Sequence, residues 1–235
     1  MMARKEDLRN QRTDTVINLR SQTQEQHLVP ALRYVEDEII HHFRVNLDFQ
    51  KTWHLKDIVQ NLKTHFSNID FHHHFNNTSM RPDGGILSLQ RNDGKRYPIL
   101  ITEVKNQGTN DIRASEGKKK QAKGNAIERL GKNVIGFRTA MITEGIFPFI
   151  CFGDGCDFED GSSILDRVTT IAMFGRLNQI NLHVDGLPHA RFDRGSFFFR
   201  PEPWTAEEMR VPMLEIAKGA VYYYFSKYGD NCFSG

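Results

Sequence analysis

Residues 81–105 read Arg81-Pro-Asp-Gly-Gly-Ile-Leu-Ser-Leu-Gln-Arg-Asn-Asp-Gly-Lys-Arg-Tyr-Pro-Ile-Leu-Ile-Thr-Glu-Val-Lys105. Asn92-Asp-Gly94 is a tight-turn signal between two extended segments. Tyr97–Val104 is β-rich and apolar enough for a central strand, so the stretch is expected to form a hairpin. Glu103 and Lys105 stand two apart on its second arm, which sends both side chains to one face of the sheet. Asp83 begins the first arm, and the turn folds that arm back alongside Glu103. Two carboxylates and an ammonium therefore converge at one end of a hairpin whose other positions are apolar.

Carboxylates brought together repel each other, and a divalent cation is the usual remedy. Mg²⁺ takes octahedral oxygen ligands: one or two carboxylates, a carbonyl, waters and a substrate phosphate. Such an ion lowers the pKa of a bound water and neutralises charge on a phosphoryl group under attack. A lysine beside it can hold the attacking water or stabilise the pentavalent oxyanion. These are the parts needed to hydrolyse a phosphodiester, and no residue reads as a covalent nucleophile. Salt-bridged surface residues are the alternative reading of the same spacing. Against it, Glu103-Val-Lys105 closes a Pro-Ile-Leu-Ile run, where burying charge is costly without partners.

Nineteen residues past Lys105 comes Gly124-Asn125-Ala126-Ile127-Glu128-Arg129, preceded by Lys118-Lys119-Lys120-Gln121-Ala122-Lys123. Asn and Arg are the side chains that read base edges bidentately. Gly124 allows a close backbone approach or a positive φ, and the helix that starts there offers N–H donors to an anion. The lysines would contact phosphates without reading sequence. An ordinary helix start with solvated Glu128 and Arg129 is the alternative.

The chain around these motifs has 235 residues, 39% hydrophobic and 26% charged, enough for one sizeable domain. Mean hydropathy is −0.52, and no apolar run reaches the roughly 18–20 residues of a membrane span. The N-terminus is charged with no apolar run behind it, so no secretory signal is expected. Three cysteines argue against a disulfide scaffold and for a reducing cytosol. Arg81–Arg138 holds thirteen Lys/Arg against six Asp/Glu, which leaves −5 on the rest of a chain of net charge +2. That asymmetry suits a patch facing a polyanion, a solvated basic loop being the plainer reading.

Apolar residues at Leu28, Leu32, Val35, Ile39 and Phe43, and again at Leu55, Ile58, Val59, Leu62 and Phe66, predict two amphipathic helices. Residues 1–23 lack such a stripe and are expected to form a mobile basic arm. Further strands are expected at Ile69–Phe75, Phe147–Phe152 and Ser196–Phe199, and helices from Gly124, over Ile164–Phe174 and over Met213–Tyr228. Thr205 and Glu208 fit a capping box, although Pro212 is expected to restart or kink what they cap. Helices alternating with strands that include an antiparallel pair predict a single α/β domain over 1–235, a mixed central sheet flanked by helices.

The segment Arg81-Pro-Asp-Gly-Gly-Ile86, the hairpin to Glu103-Val-Lys105 with Gln107-Gly108, and Gly124-Asn-Ala-Ile-Glu-Arg129 together closely resemble the EcoRI family of type II restriction endonucleases, within the PD-(D/E)XK nuclease superfamily. The likeness runs from about Ile58 to Arg129, more loosely through Phe147–Phe152 and Leu165-Asp-Arg167, and faintly at Met213–Ile216. It implies a restriction-endonuclease-like fold. It implies that Asp83 and Glu103 hold Mg²⁺ with the carbonyl of Val104, that Mn²⁺ substitutes, and that Lys105 orients the hydrolytic water. Asn125 and Arg129 would contact adenines, Glu128 would bridge neighbouring bases or hold Arg129, and Ala126 would face thymine methyls or the outer pair. Arg167 matches a base-contacting arginine.

The same resemblance implies an AATT-centred palindrome cut to 5′-phosphate ends with 5′ overhangs, a homodimer on double-stranded DNA, and a cognate methyltransferase acting on the same site. Gln121-Ala-Lys123 departs from a more apolar run in the family, which leaves the outer base pair open. Two rival readings differ in chemistry. A repair or junction-resolving nuclease of the superfamily would share Asp83, Glu103 and Lys105, and a catalytically silent DNA-binding module would need none of them. His72-His-His74 would offer two ligands on one strand face, too few for a tetrahedral zinc site. Tyr222-Tyr-Tyr-Phe225 reads as core and dimer contacts, with base stacking as the less favoured use.

Overall fold

The computed structural model describes residues 16–106, 117, 125–155, 158 and 195–233; side chains are described from residue 23 and, in the helix beginning at Asn125, from Leu130. Helix α1, Val16–Phe43, is followed by strand β1 (Leu47–Gln50), the short β2 (Trp53–His54), helix α2 (Leu55–His65) and the short β3 (Ser79–Met80). Strands β4 (Gly85–Gln90) and β5 (Arg96–Asn106) form the expected hairpin, and helix α3 (Asn125–Ala140) leads to β6 (Phe149–Asp154). Strand β7 (Ser196–Arg200) and helix α4 (Ala206–Tyr228) complete the described elements, with a short 3-10 turn at Asp230–Cys232.

Five strands form one sheet in the order β1-β4-β5-β6-β7, and β2 pairs with β3 apart from it. The first three strands are antiparallel neighbours, whereas β5–β6 and β6–β7 are parallel. The mixed sheet with flanking helices is the class expected from the sequence. Leu28, Ala31, Val35 and Ile39 of α1 and Met209, Met213, Ala217, Ala220, Val221 and Tyr224 of α4 cover one face, against Leu87, Leu89, Leu100, Val104, Ile150 and Phe152. Leu130, Val134 and Phe137 of α3 cover the other, against Ile86, Ile101, Phe149 and Cys151. Both faces are buried, as a parallel crossover demands.

The hairpin carries a bulge that the alternation of residues did not announce. Leu87 pairs with Leu100 and Ser88 with Pro98, so Ile99 is the extra residue on β5. Pro98 has no N–H to give a ladder, and such a site is where a strand tolerates proline. The Tyr224 hydroxyl donates to the Pro98 carbonyl at 3.1 Å. Across the bulge, Ile99 and Leu100 both join the α1/α4 core. Ile101 is thereby turned to the α3 face, and with it Glu103 and Lys105.

Three expectations change, and a fourth is not reached. Helix α1 begins at Val16, eight residues ahead of Gln24, so 16–23 is helical; residues 1–15 lie outside the described residues. Residues 69–75 form no strand; His72 and His74 pack edge-on with ring centroids 5.2 Å apart instead of sharing a strand face. Pro212 does not restart a helix. It lies in the second turn of an unbroken α4 that begins at Ala206, and the capping box at Thr205 and Glu208 is present. The helix expected at Ile164–Phe174 falls outside the described residues.

Candidate active site

Asp83 sits in the turn that leads into β4. The Gly84 N–H donates to the Thr102 carbonyl at 3.0 Å and the Gly85 N–H to the Pro82 carbonyl at 3.2 Å, which fixes the turn against β5. Both glycines are needed there. A Cβ on Gly84 would stand 2.0 Å from Thr102 Oγ1, and Gly85 has φ +81°, a left-handed conformation costly for any other residue. The Pro-Asp-Gly-Gly sequence thus presses Asp83 onto the end of the neighbouring strand.

There the three expected side chains meet. Lys105 Nζ lies 2.9 Å from Asp83 Oδ2, 2.9 Å from the Val104 carbonyl oxygen, and in close contact with Glu103 Oε1. The Val104 N–H donates to Asp83 Oδ2 at 3.3 Å and the Asp83 N–H to Glu103 Oε2 at 3.1 Å. Glu103 is 1% exposed. Burial pushes its carboxyl above the ordinary range; Lys105 opposes that rise and Asp83 adds to it. Burial alone would lower the Lys105 ammonium, but Glu103 and Asp83 outweigh it and raise its pKa. The cluster therefore holds a firmly charged ammonium between two carboxyl groups.

Three oxygens, Asp83 Oδ2, Glu103 Oε1 and the Val104 carbonyl, thus converge on the Lys105 ammonium. This donor set is all oxygen and includes two carboxylates, which fits a hard divalent ion. Among the described residues no three His, Cys, Asp or Glu side chains gather to hold a metal; two carboxylates and a backbone carbonyl are what this site offers. Cys151 lies opposite Glu103 on β6, where burial pushes its thiol up and keeps it protonated.

Two features went unnoticed in the sequence. Asn133 Nδ2 donates to Glu103 Oε1 at 2.8 Å, and Asn106 Nδ2 donates to the buried Asp154 Oδ1 at 2.7 Å, at the last pair of the β5–β6 register. Neither Asn stands in a charged motif, and an isolated Asn gives no signal without the packing that aims it. Beside Asp83 opens a cleft of about 660 Å³ whose lining includes Glu25, Arg33, Lys51 and Arg81. Burial and Asp83 push the Glu25 carboxyl up, against Lys105 and Arg81. Lys118, Lys119, Lys120, Gln121, Ala122, Lys123, Gly124 and Arg167 lie outside the described residues. Asn125, Ala126, Glu128 and Arg129 begin α3 and are described there by backbone alone.

Residues 11–164 match the family model for restriction endonuclease EcoRI. The chain belongs to the EcoRI restriction endonuclease family. It is 34% identical over 174 residues to the type II restriction enzyme RsrI of Cereibacter sphaeroides, a match covering 60% of this chain and 62% of that enzyme. It is 34% identical over 90 residues to the type II restriction enzyme EcoRI of Escherichia coli, covering 35% of this chain and 32% of that enzyme. The chain thus spans less than two thirds of the length of either relative. Within this family the hairpin carrying Asp83, Glu103 and Lys105 lies inside the matched residues, as do Asn125 and Arg129.

Proposed function

We propose that the protein is a type II site-specific endonuclease that hydrolyses phosphodiesters of double-stranded DNA with Mg²⁺, Mn²⁺ substituting. The observation that carries this reading is the gathering of Asp83 Oδ2, Glu103 Oε1 and the Val104 carbonyl around the Lys105 ammonium, an all-oxygen set that suits a divalent ion beside a lysine. Membership of the EcoRI family supports it.

In this reading Asp83, Glu103 and the Val104 carbonyl would hold Mg²⁺. When bound, the ion lowers the pKa of a water and offsets charge on the phosphoryl group. Lys105 orients the attacking water and places its ammonium against the oxyanion that develops on phosphorus. The water oxygen bonds to phosphorus in line as the bond to the 3′ oxygen breaks. The 3′ oxygen takes up a proton and the water loses one to solvent, leaving a 3′-hydroxyl and a 5′-phosphate. Burial of Glu103 and Lys105 keeps bulk water from weakening these charges.

The finer reading rests on the segment at 124–129. Asn125 and Arg129 contact adenines of an AATT-centred palindrome, with Glu128 and Ala126 beside them. Lys118, Lys119, Lys120 and Lys123 anchor phosphates, and Arg167 adds a base contact. A homodimer meets the two half-sites, and a methyltransferase of the same specificity protects host DNA without a stable complex. Plasmid DNA incubated with and without Mg²⁺, followed by run-off sequencing of the ends, tests all of this. Discrete Mg²⁺-dependent bands ending in 5′-AATT overhangs are expected. A smear or structure-dependent nicking would replace the reading with a repair or junction-resolving nuclease, and intact DNA with retained binding would make the protein a silent DNA-binding module.

A further inference from the structure

We propose that Asn133 is a positioning residue that ties the orientation of the Glu103 carboxylate to the register of helix α3, so that Glu103 is aligned only when the helix is seated. This rests on the endonuclease reading above and deepens it. The two Glu103 oxygens are held from different sides. Oε2 accepts from the Asp83 N–H, a backbone donor within the hairpin. Oε1 accepts from Asn133 Nδ2 at 2.8 Å. It also meets Lys105, which stands on the same strand as Glu103 and so reports nothing about the seating of a helix. Asn133 is thus the donor to Glu103 that comes from another element and fixes the plane of the carboxyl group. The amide must present nitrogen and not oxygen, because its Oδ1 would face a carboxylate.

Helix α3 is placed by Leu130, Val134 and Phe137, which pack on Ile86, Ile101, Phe149 and Cys151. A Cβ on Gly136 would lie 2.4 Å from Met80 Sδ, so the helix also approaches β3 as closely as a bare backbone allows. Asn133 is half-buried on this helix. Positions 125, 129 and 133 are spaced by four along it, and 125 lies roughly 12 Å from 133 along the axis. A helix this stiff moves as a unit, and a hydrogen bond is lost once its atoms part beyond about 3.5 Å. Any displacement of the base-reading end therefore reaches Glu103 through Asn133.

The test compares two duplexes: the site found by run-off sequencing for the wild-type protein, and the same duplex with one AATT base pair exchanged. At the cognate site, Asn133→Ala is expected to slow single-turnover cleavage about 10–100-fold, the loss of one hydrogen bond to a charged group. Binding in Ca²⁺ should be unchanged. At the altered site, where α3 is not seated and the tie is already broken, the rate should not fall, so discrimination narrows by the same factor. Asn133→Asp, which sets a second carboxylate against Glu103, should cut more slowly than Asn133→Ala, and Asn133→Ser, a smaller donor, should cut faster. Equal losses on both duplexes, or wild-type cleavage by Asn133→Ala, would overturn the proposal. If Asn133→Ala does not fold, the order of the Asp and Ser variants decides it in the same way. A wild-type protein that cuts no duplex overturns the endonuclease reading itself, and the tie with it.

Discussion

The two faces of the central sheet are built on opposite principles. Under α1 and α4 the sheet is closed by aliphatic and aromatic groups, with Phe152, Phe198 and Trp204 clustered at ring separations of 5.2–6.3 Å. Under α3 the apolar layer of Ile86, Ile101, Phe149 and Cys151 ends after a few residues, and Glu103 and Lys105 continue the same strand face as buried charge. Burial on the first face stabilises the fold, at about 25 cal/mol per Å² of apolar surface. Burial on the second is offset by mutual pairing and, in the proposed function, serves chemistry. Structure and reactivity are thus separated by the thickness of one sheet.

The sharpest way to break this contrast is to change each face in turn. Glu103→Ala should lower single-turnover cleavage by at least about 10³-fold, roughly 4 kcal/mol in the barrier, while the protein still folds and DNA binding in Ca²⁺ is kept. A variant that unfolds would mean the charged face also holds the protein together. Phe152→Ala, on the other face, should cost about 3–5 kcal/mol in urea unfolding, with the activity of the folded fraction intact. Tyr224→Phe removes the donor to the Pro98 carbonyl and should cost about 1–3 kcal/mol, measured in the same way. A neutral outcome would mean that carbonyl finds another partner.

The smallest effect lies at the edge of the apolar face, where Arg200 donates to both Glu208 carboxylate oxygens, at 2.8 and 2.6 Å. Arg200 and the Thr205 cap hold the Glu208 carboxyl down at about 2. A carboxyl lowered on folding stabilises the protein above its unfolded value of 4.5 and loses that contribution as pH falls toward 2. Wild type should therefore exceed Glu208→Gln in stability at neutral pH, and the gap should close during acid titration followed by circular dichroism. A gap that persists at pH 2 would assign the difference to packing.

Much of the hairpin that carries the candidate site was legible because local rules decide it. Asn92-Asp-Gly94 makes a turn whatever surrounds it, with the Gly94 N–H donating to the Arg91 carbonyl at 2.8 Å. A spacing of two on a strand sends Glu103 and Lys105 the same way, and the Thr205–Glu208 box caps its helix. Features decided by distant packing were not legible. β1 is a four-residue strand, Leu47–Gln50, with no strong pattern. Ile69–Phe75 has strand-like composition but no partner strand. Pro212 is tolerated because α4 is anchored on both sides of it by Met209 and Met213, each fully buried. Asn133 acquires a role only when α3 docks beside β5.

The supernumerary Ile99 has a consequence for how this hairpin can change over time. Substitutions there alter volume, but an insertion or deletion between Pro98 and Ile101 changes parity, and parity decides which side of the sheet receives every residue downstream. Losing one codon at that point would carry Glu103 and Lys105 beneath α1 and α4, into surroundings with no answering groups. The five-residue connection from Arg91 to Lys95, beyond the Gln90–Arg96 pair, carries no such constraint. Length variation in relatives should accordingly collect at that connection and be excluded from the three peptide units preceding Ile101.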